Sequence, residues 1–198
     1  MTVRIETLTG AGLEAAIPAL ARLRIAVFRD WPYLYDGSLD YEQRYLRTLA
    51  QAPKAVVVAA FDGADMVGAA TASALAGHAA EFAEPLRRRG YDVDRIFYFG
   101  ESVLLPAYRG RGLGHAFFDK REAHARVCGP YTHTTFCAVV RPDDHPLRPE
   151  GYSPLDAFWS KRGYTRIEGL VGSFVWKDID QAEETAKPMQ YWMKALEP

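Results

Sequence analysis

The hydrophobic and polar positions of this chain follow two periods, one typical of strands and one typical of helices. Val3 to Leu8 alternates apolar and polar residues and predicts a strand, whereas Leu13 to Arg29 carries apolar residues at helical spacing. Proline is tolerated in the first turn of a helix, so Pro18 places the start of this helix near Ile17. A second helix is expected from about Asp40 to Ala50.

The middle of the chain begins with two apolar, β-type runs. Ala55 to Phe61 and Met66 to Leu75 flank Asp62-Gly63, which is a hairpin signal. Gly77 to Gly90 follows with an amphipathic helical pattern. We expect this helix to be an insertion between two strands, lying at the mouth of a site.

The second half alternates strands and helices and closes with two strands. The order along the whole chain is therefore β, α, α, β, β, α, β, α, β, α, β, β. The expected elements are strand Ile96 to Leu105, helix Leu113 to Val127, strand Tyr131 to Val140, helix Leu155 to Arg162, and strands Thr165 to Val175 and Gln190 to Leu196.

Composition narrows the class of protein. A chain of 198 residues that is 48% hydrophobic can bury a substantial core, and one domain over residues 1–198 is the expectation. A net charge of -1 gives no reason to expect nucleic acid. Cys128 and Cys137 are too few for a disulfide framework and lack metal-ligand spacing. With no apolar stretch of about 20 residues, we expect a cytoplasmic protein with no membrane contact and no metal.

One stretch, Ser102 to His115, carries the clearest chemical signal. Pro106 ends an apolar strand, three glycines (Gly110, Gly112 and Gly114) permit a tight turn, and a helix begins at once. Such a turn gathers backbone N–H groups at the positive end of a helix dipole, which is an anion site. The letters match neither a P-loop nor the G-x-G-x-x-G dinucleotide fingerprint.

The stretch instead reads R-x-x-G-x-G, as Arg109, Gly112 and Gly114, after a strand that ends L-x-P. This resembles the acyl-CoA-binding motif of the GNAT acyltransferase superfamily. The resemblance implies an α/β fold of the α+β type, with a mixed, mostly antiparallel central sheet flanked by helices, and acetyl-CoA as cosubstrate. The resemblance also implies that the backbone amides of the turn hold the pyrophosphate of coenzyme A and that the end of the preceding strand pairs with the pantetheine arm. The residues implied are Val103, Leu104, Leu105, Arg109, Gly110, Arg111, Gly112, Leu113, Gly114 and His115.

The candidate general base is Glu101, the one acidic residue of the strand Ile96 to Leu105. Desolvation in a partly buried strand disfavours a charged carboxylate, which suits a base that works near neutral pH. In many members of the resembled family the acid lies further upstream on this strand, where this chain has Tyr98. The alternative is that Glu101 pairs with a core hydroxyl or an arginine; His133 is the second candidate base.

The candidate general acid is Tyr152. The resembled family has a tyrosine that protonates the leaving thiolate, but the matching position in this chain is Trp159, whose indole N–H is no acid at neutral pH. Tyr152 substitutes from a proline-rich loop, or water protonates the thiolate, or the chain binds acyl-CoA with little transfer activity.

Aromatic residues mark the expected acceptor pocket. Trp31, Tyr33 and Tyr35 offer flat apolar faces with polar tips, which suit a small amine, although packing in the core is an equal alternative for Trp31 and Tyr33. The expected function is transfer of an acetyl group from acetyl-CoA to the primary amine of a small molecule by direct attack on the thioester. A non-catalytic acyl-CoA-binding domain and a protein N-acetyltransferase are the alternatives, and a homodimer is possible.

Overall fold

The computed structural model describes residues 3–78 and 80–197, in which seven strands form one sheet and five α-helices pack against it. The strands are β1 (Arg4–Leu8), β2 (Val56–Asp62), β3 (Asp65–Ala74), β4 (Ile96–Leu104), β5 (His133–Val139), β6 (Thr165–Lys177) and β7 (Glu184–Ala195). The helices are α1 (Gly10–Phe28), α2 (Leu39–Gln51), α3 (Ala80–Arg88), α4 (Leu113–Cys128) and α5 (Asp156–Lys161).

The strand order is β1-β2-β3-β4-β5-β7-β6. Every neighbouring pair is antiparallel except β4 and β5, which run parallel. That parallel pairing covers only Ile96 to Tyr98 against His133 to Thr135, and the two strands separate beyond it. The predicted fold class, a mixed and mostly antiparallel sheet flanked by helices, is confirmed.

Helices cover both faces of the sheet, which explains the continuous apolar run of β2. Val57 and Ala59 pack against α1 and α2, whereas Val58 and Ala60 pack with Phe117 of α4 on the other face. A strand buried on both faces gains no stability from alternating polarity, so its sequence is apolar throughout.

A β-bulge interrupts β4 immediately after it leaves β5. Ala72 pairs with Phe99 and Ala70 pairs with Ser102, so Gly100 and Glu101 together oppose the single residue Thr71. Glycine is required at 100 because a Cβ there would collide with the Thr71 hydroxyl. The extra residue reverses the alternation of β4, and every side chain after the bulge changes face.

Two sequence expectations about helices were wrong. Helix α1 starts at Gly10 rather than near Ile17, with Pro18 in its interior. Pro18 and Glu14 are both exposed, so the Glu14 carbonyl that proline leaves without an amide partner faces water. Helix α3 is not at the mouth of the cavity described below. It covers β6 and β7, where Phe82 contacts Phe174 and the Tyr191 hydroxyl donates to the Phe82 carbonyl at 3.0 Å.

The closing strand also begins earlier than the sequence indicated. The sequence predicts a last strand from Gln190 to Leu196, but β7 starts at Glu184. Lys187 is buried in spite of its charge, because its ammonium lies 3.5 Å from the buried Asp178 carboxylate and donates to the carbonyls of Trp176 (3.3 Å) and Thr185 (3.2 Å). A lysine whose ammonium has polar partners can be buried in a strand, although lysine is usually expected at a solvent-exposed position.

Candidate functional site

A cavity of about 1170 Å³ opens where β4 and β5 separate. One wall is β4 from Phe99 to Ser102, and the facing wall is β5 from Phe136 to Val139. The first turns of α4, the end of α1 and the loop that precedes α5 close the other sides. Backbone that leaves a sheet ladder keeps N–H and C=O groups without strand partners, so the cavity offers a ligand an extended peptide edge in addition to side chains.

The glycine-rich turn lies at one end of this cavity. Gly110 has φ of 75° and Gly112 has φ of 80°, a left-handed conformation that strongly favours glycine. Gly112 is the N-cap of α4, and the helix has no side-chain cap. The N–H groups of Leu113 and Gly114 in the first helical turn therefore remain available to an anion. This arrangement fits a phosphate or pyrophosphate.

Most of the residues predicted to hold the coenzyme line the cavity, but three do not. Val103 is fully buried against α1 and α2, Arg111 stacks on Tyr108 at 5.1 Å, and Leu105 uses its amide to donate to the Val67 carbonyl at 3.0 Å. The predicted residues that line the cavity are Leu104, Arg109, Gly110, Gly112, Leu113, Gly114 and His115.

Beneath the bulge lies Arg121 of α4, which is 1% exposed. Its Nη1 donates to the carbonyl oxygens of Thr71 on β3 (3.2 Å) and of Glu101 on β4 (3.3 Å), both at the bulge. Its Nη2 donates to the Ser102 hydroxyl at 2.9 Å and its Nε to the Phe117 carbonyl at 3.2 Å. Burial lowers the pKa of Arg121 to about 10, so it remains a cation at neutral pH. The arginine thus fixes the geometry of β4 at the edge of the cavity.

Glu101 lies in the cavity wall and pairs with Arg24 of α1. Its Oε1 is 2.6 Å from Arg24 Nη1, and Arg24 Nε also pairs with the fully buried Glu42 of α2. One guanidinium is therefore shared by two buried carboxylates. The pairing with an arginine that the sequence left as an alternative is present. The triad of Arg24, Glu42 and Glu101 carries a net negative charge in a low-dielectric setting. The electrostatic stabilisation that Arg24 provides to each carboxylate is therefore weaker than in a simple ion pair.

The opposite end of the cavity is aromatic. Trp31 lies between His145, at 5.1 Å between ring centroids, and Tyr152, at 5.8 Å and nearly perpendicular. Tyr152 lines the cavity, and burial raises its pKa, so its phenol holds its proton more tightly than a free phenol. Arg148 lies over the Tyr152 ring at 5.8 Å. The predicted acid and the predicted acceptor residue Trp31 are thus neighbours.

Arg141 holds this aromatic end in place. Its guanidinium forms a two-pronged pair with the fully buried Asp178, at 2.6 and 2.9 Å. It also donates to the carbonyls of Pro32 (2.8 Å) and Tyr33 (2.6 Å), and Trp176 Nε1 donates to the same Tyr33 oxygen at 3.1 Å. Such a bidentate, nearly buried pair is geometrically strict. The turn that carries the predicted acceptor residues Trp31 and Tyr33 is therefore rigid.

Tyr35 does not join the other predicted acceptor residues. It forms an isolated bridge with Asp178 and packs on the cluster of α1 and α2, outside the cavity lining. In an extended segment Trp31, Tyr33 and Tyr35 would share one face, but here the chain turns and Leu34 has φ of 55°, so Tyr35 leaves the face of Trp31 and Tyr33. His133, the second candidate base, also lies outside the lining, at the start of β5.

Two further residues of the wall bear on the chemistry. Trp159 contacts Phe136 and Trp192 at 5.0 and 5.2 Å and lines the cavity at the position of the resembled family's tyrosine. Cys137 lies on β5, and burial raises the pKa of its thiol to about 12, which makes it an inert neutral group. Neither supplies an acid or a nucleophile.

The described part of the chain holds neither a metal-ligand cluster nor a membrane-spanning helix. Within residues 3–78 and 80–197, no group of three or more His, Cys, Asp or Glu side chains is arranged to hold a metal ion. None of the helices described in these ranges is long and apolar enough to cross a membrane.

No protein-family model and no curated protein matches the sequence of this chain. Solved structures, however, match over essentially its whole length. The protein yncA of Salmonella typhimurium, solved with its cofactor acetyl-CoA, has a TM-score of 0.60 at 12% identity and covers 100% of this chain and 96% of its own. A ribosomal-protein-alanine N-acetyltransferase of Brucella melitensis has a TM-score of 0.61 at 14% identity, covering 98% and 99%.

An aminoglycoside 6'-N-acetyltransferase solved with coenzyme A has a TM-score of 0.59 at 14% identity and covers 100% of this chain and 98% of its own. An acetyltransferase of the GNAT family from Streptococcus pneumoniae has a TM-score of 0.58 at 14% identity, covering 99% and 100%. The chain therefore has the GNAT fold, and the resemblance stated from its glycine turn is confirmed at the level of the fold.

The shared guanidinium of Arg24 gives a stability prediction. Replacing Arg24 with Met leaves Glu42 and Glu101 buried without a cation, which should cost about 3–5 kcal/mol of unfolding free energy at pH 7. Urea unfolding at pH 7 measures this loss. Arg22→Met on the same helix is the control, since Arg22 is exposed; equal losses in both variants would contradict the role of the triad.

Proposed function

We propose that this protein is an N-acyltransferase that moves an acetyl group from acetyl-CoA to the primary amine of a small molecule. The observation that carries the proposal is the continuity of one cavity, which runs from the uncapped N-terminus of α4 along the free edge of β4 to the aromatic end at Trp31. A phosphate end, an extended peptide edge and a separate apolar end suit coenzyme A and an acceptor together.

The donor half follows from backbone geometry. The amides from Gly110 to His115 would hold the pyrophosphate, and Arg109 would add a charge-assisted contact. The freed edge of β4 from Phe99 to Leu104 would pair with the amides of pantetheine, as an added strand does. Two of the structurally similar proteins were solved with coenzyme A or acetyl-CoA, which supports this half of the proposal.

The transfer step needs a deprotonated amine and a route for the departing thiolate. In the proposed reaction the amine nitrogen attacks the thioester carbonyl, the C–S bond breaks, and the sulfur keeps the electron pair. Glu101 would take the proton that the amine nitrogen loses. Because Arg24 is shared with Glu42, proton uptake by one carboxylate leaves a neutral triad, which favours this role. Tyr152 would donate a hydrogen bond to the sulfur.

A small acceptor suits the closed character of the aromatic end. Arg141 fixes Trp31 and Tyr33, and the loop that carries Tyr152 covers them, so the space beside Glu101 is bounded on several sides. A protein acceptor would need room for an extended chain. The fold itself decides nothing between the two, because structurally similar proteins include a ribosomal-protein-alanine N-acetyltransferase and an aminoglycoside N-acetyltransferase.

The glycine turn gives a test of the donor half. Gly112→Ala should weaken acetyl-CoA binding about tenfold or more, because the left-handed backbone that aims the first amides of α4 is strained by a Cβ. Gly90→Ala is a matched control: Gly90 has φ of 83°, against 80° for Gly112, and a Cβ would have open space at both positions. Calorimetry measures both affinities. Equal affinity in the two variants would exclude the turn as the coenzyme site.

The base gives a test of the chemistry. Incubation with acetyl-CoA and a panel of small amines should release free thiol, and Glu101→Gln should lower kcat about 100-fold or more. The pH profile of the residual activity of Glu101→Gln should lack its acidic limb, which is the fall in rate at low pH. Glu42→Gln removes the other carboxylate on Arg24 but should keep this limb, since Glu42 does not line the cavity. A wild-type pH profile for Glu101→Gln rules out this base, and coenzyme binding with no thiol release for any amine or peptide favours a non-catalytic binding domain.

A further inference from the structure

Arg121 stands out among the five arginines that line the cavity, all within the described part of the chain. Arg141, Arg148 and Arg166 each pair with an aspartate, and Arg109 is exposed at the glycine turn. Arg121 is 1% exposed, and no carboxylate of the described residues lies within ion-pair distance of it. The groups in direct contact with it are neutral: carbonyls, one hydroxyl, and the rings of Phe99 and Phe118 at 4.2 and 4.9 Å. The carboxylates of Glu101 and Glu122 and the guanidinium of Arg162 act on it from beyond ion-pair distance.

A buried cation with no carboxylate in direct contact is costly. A neutral donor such as glutamine could serve one of the two bulge carbonyls, Thr71 O or Glu101 O, without the charge. Arg121 thus places a positive charge next to the point where β4 leaves β5. Ser102, which accepts a hydrogen bond from the guanidinium, is exposed to the cavity at this point. In the proposed reaction this is where the thioester lies and where negative charge collects on sulfur.

We infer that Arg121 stabilises the coenzyme A thiolate as it leaves, so that C–S cleavage in this protein needs no tyrosine acid. This inference rests on the proposed function. The electron pair of the broken C–S bond stays on sulfur beside the guanidinium, the proton of the attacking amine goes to Glu101, and the thiolate takes a proton from water after it departs. The neutral Trp159 at the position of the family's tyrosine is then consistent with an active enzyme.

The other ionisable groups around the cavity do not supply this charge. Glu101 is a carboxyl group and supplies no positive charge, and Cys137 is neutral because burial raises its pKa to about 12. Tyr33 and Tyr152 are neutral phenols whose pKa values burial raises. The positive end of α4 and Arg109 lie at the phosphate end. The remaining ionisable groups of the lining are His115, Arg141, Asp143, Arg148, Asp156 and Arg166.

The test is to titrate the thiol of bound coenzyme A itself, which requires no acceptor and no turnover. The ultraviolet absorbance of the thiolate, followed against pH at saturating protein, should show the bound thiol titrating about one pH unit or more below free coenzyme A. Arg121→Gln should return the titration to that of free coenzyme A. Ser102→Ala keeps the charge but removes one hydrogen bond, so it should keep the lowered titration.

The outcomes separate this inference from the proposed function. If coenzyme A does not bind, the proposed function fails. If it binds and its thiol titrates as in free solution, or if Arg121→Gln leaves the lowered titration in place, the role of Arg121 is overturned. Should Arg121→Gln not fold, Arg121→Lys decides: lysine keeps the charge without the planar fork, so a lowered titration supports the inference and a free-solution titration overturns it.

Discussion

The parting of β4 from β5 is the constraint on which the rest of this structure depends. A parallel pair that ends after Tyr98 and Thr135 leaves polar backbone unpaired in the middle of a sheet, and such groups must find other partners. Next to this parting, at the bulge between β3 and β4, Arg121 donates to the carbonyls of Thr71 and Glu101, and it can reach them only because α4 packs beneath this part of the sheet. What remains unpaired lines a cavity of ligand size. The cavity is thus supported on its α4 side by a buried cation.

The bulge at Gly100 has a second consequence, which is the placement of Glu101. In an unbroken strand Glu101 would share the face of Phe97 and Phe99, which pack with Phe118 and Phe136 below the sheet. The extra residue turns it to the face of α1 instead, where Arg24 meets it. One inserted residue therefore moves the carboxylate from the face of Phe99, Phe118 and Arg121 to an ion pair with Arg24 beside the cavity. The same reversal directs Ser102 towards Arg121.

The sequence predicts the parts of this site that are local and misses those that are not. The order of elements, the glycine turn and the end of β4 could be predicted, because periodicity and turn chemistry act over a few residues. The helix start predicted from Pro18 was wrong, because the sequence does not show that Glu14, whose carbonyl loses its amide partner to the proline, lies on an exposed side of the helix. Arg24, Arg121 and Arg141 were missed for a common reason: arginine in a helix or loop usually faces solvent, and only tertiary packing shows that these three are buried against carbonyls or carboxylates. The bulge gave a single signal, Gly100 inside an apolar strand.

The predictable and the unpredictable parts of the site are the two ends of the cavity, and they are built from different groups. The phosphate end consists of backbone amides in one continuous turn, so its chemistry hardly depends on which other side chains surround it. The aromatic end is assembled from Trp31, Arg141, Tyr152 and Asp178, which lie far apart in the chain and meet only through tertiary contacts. A turn built from main chain depends little on side-chain identity, and the fold that carries it is shared with structures at only 12–14% identity. The aromatic end, which is built from remote side chains, changes with each of them.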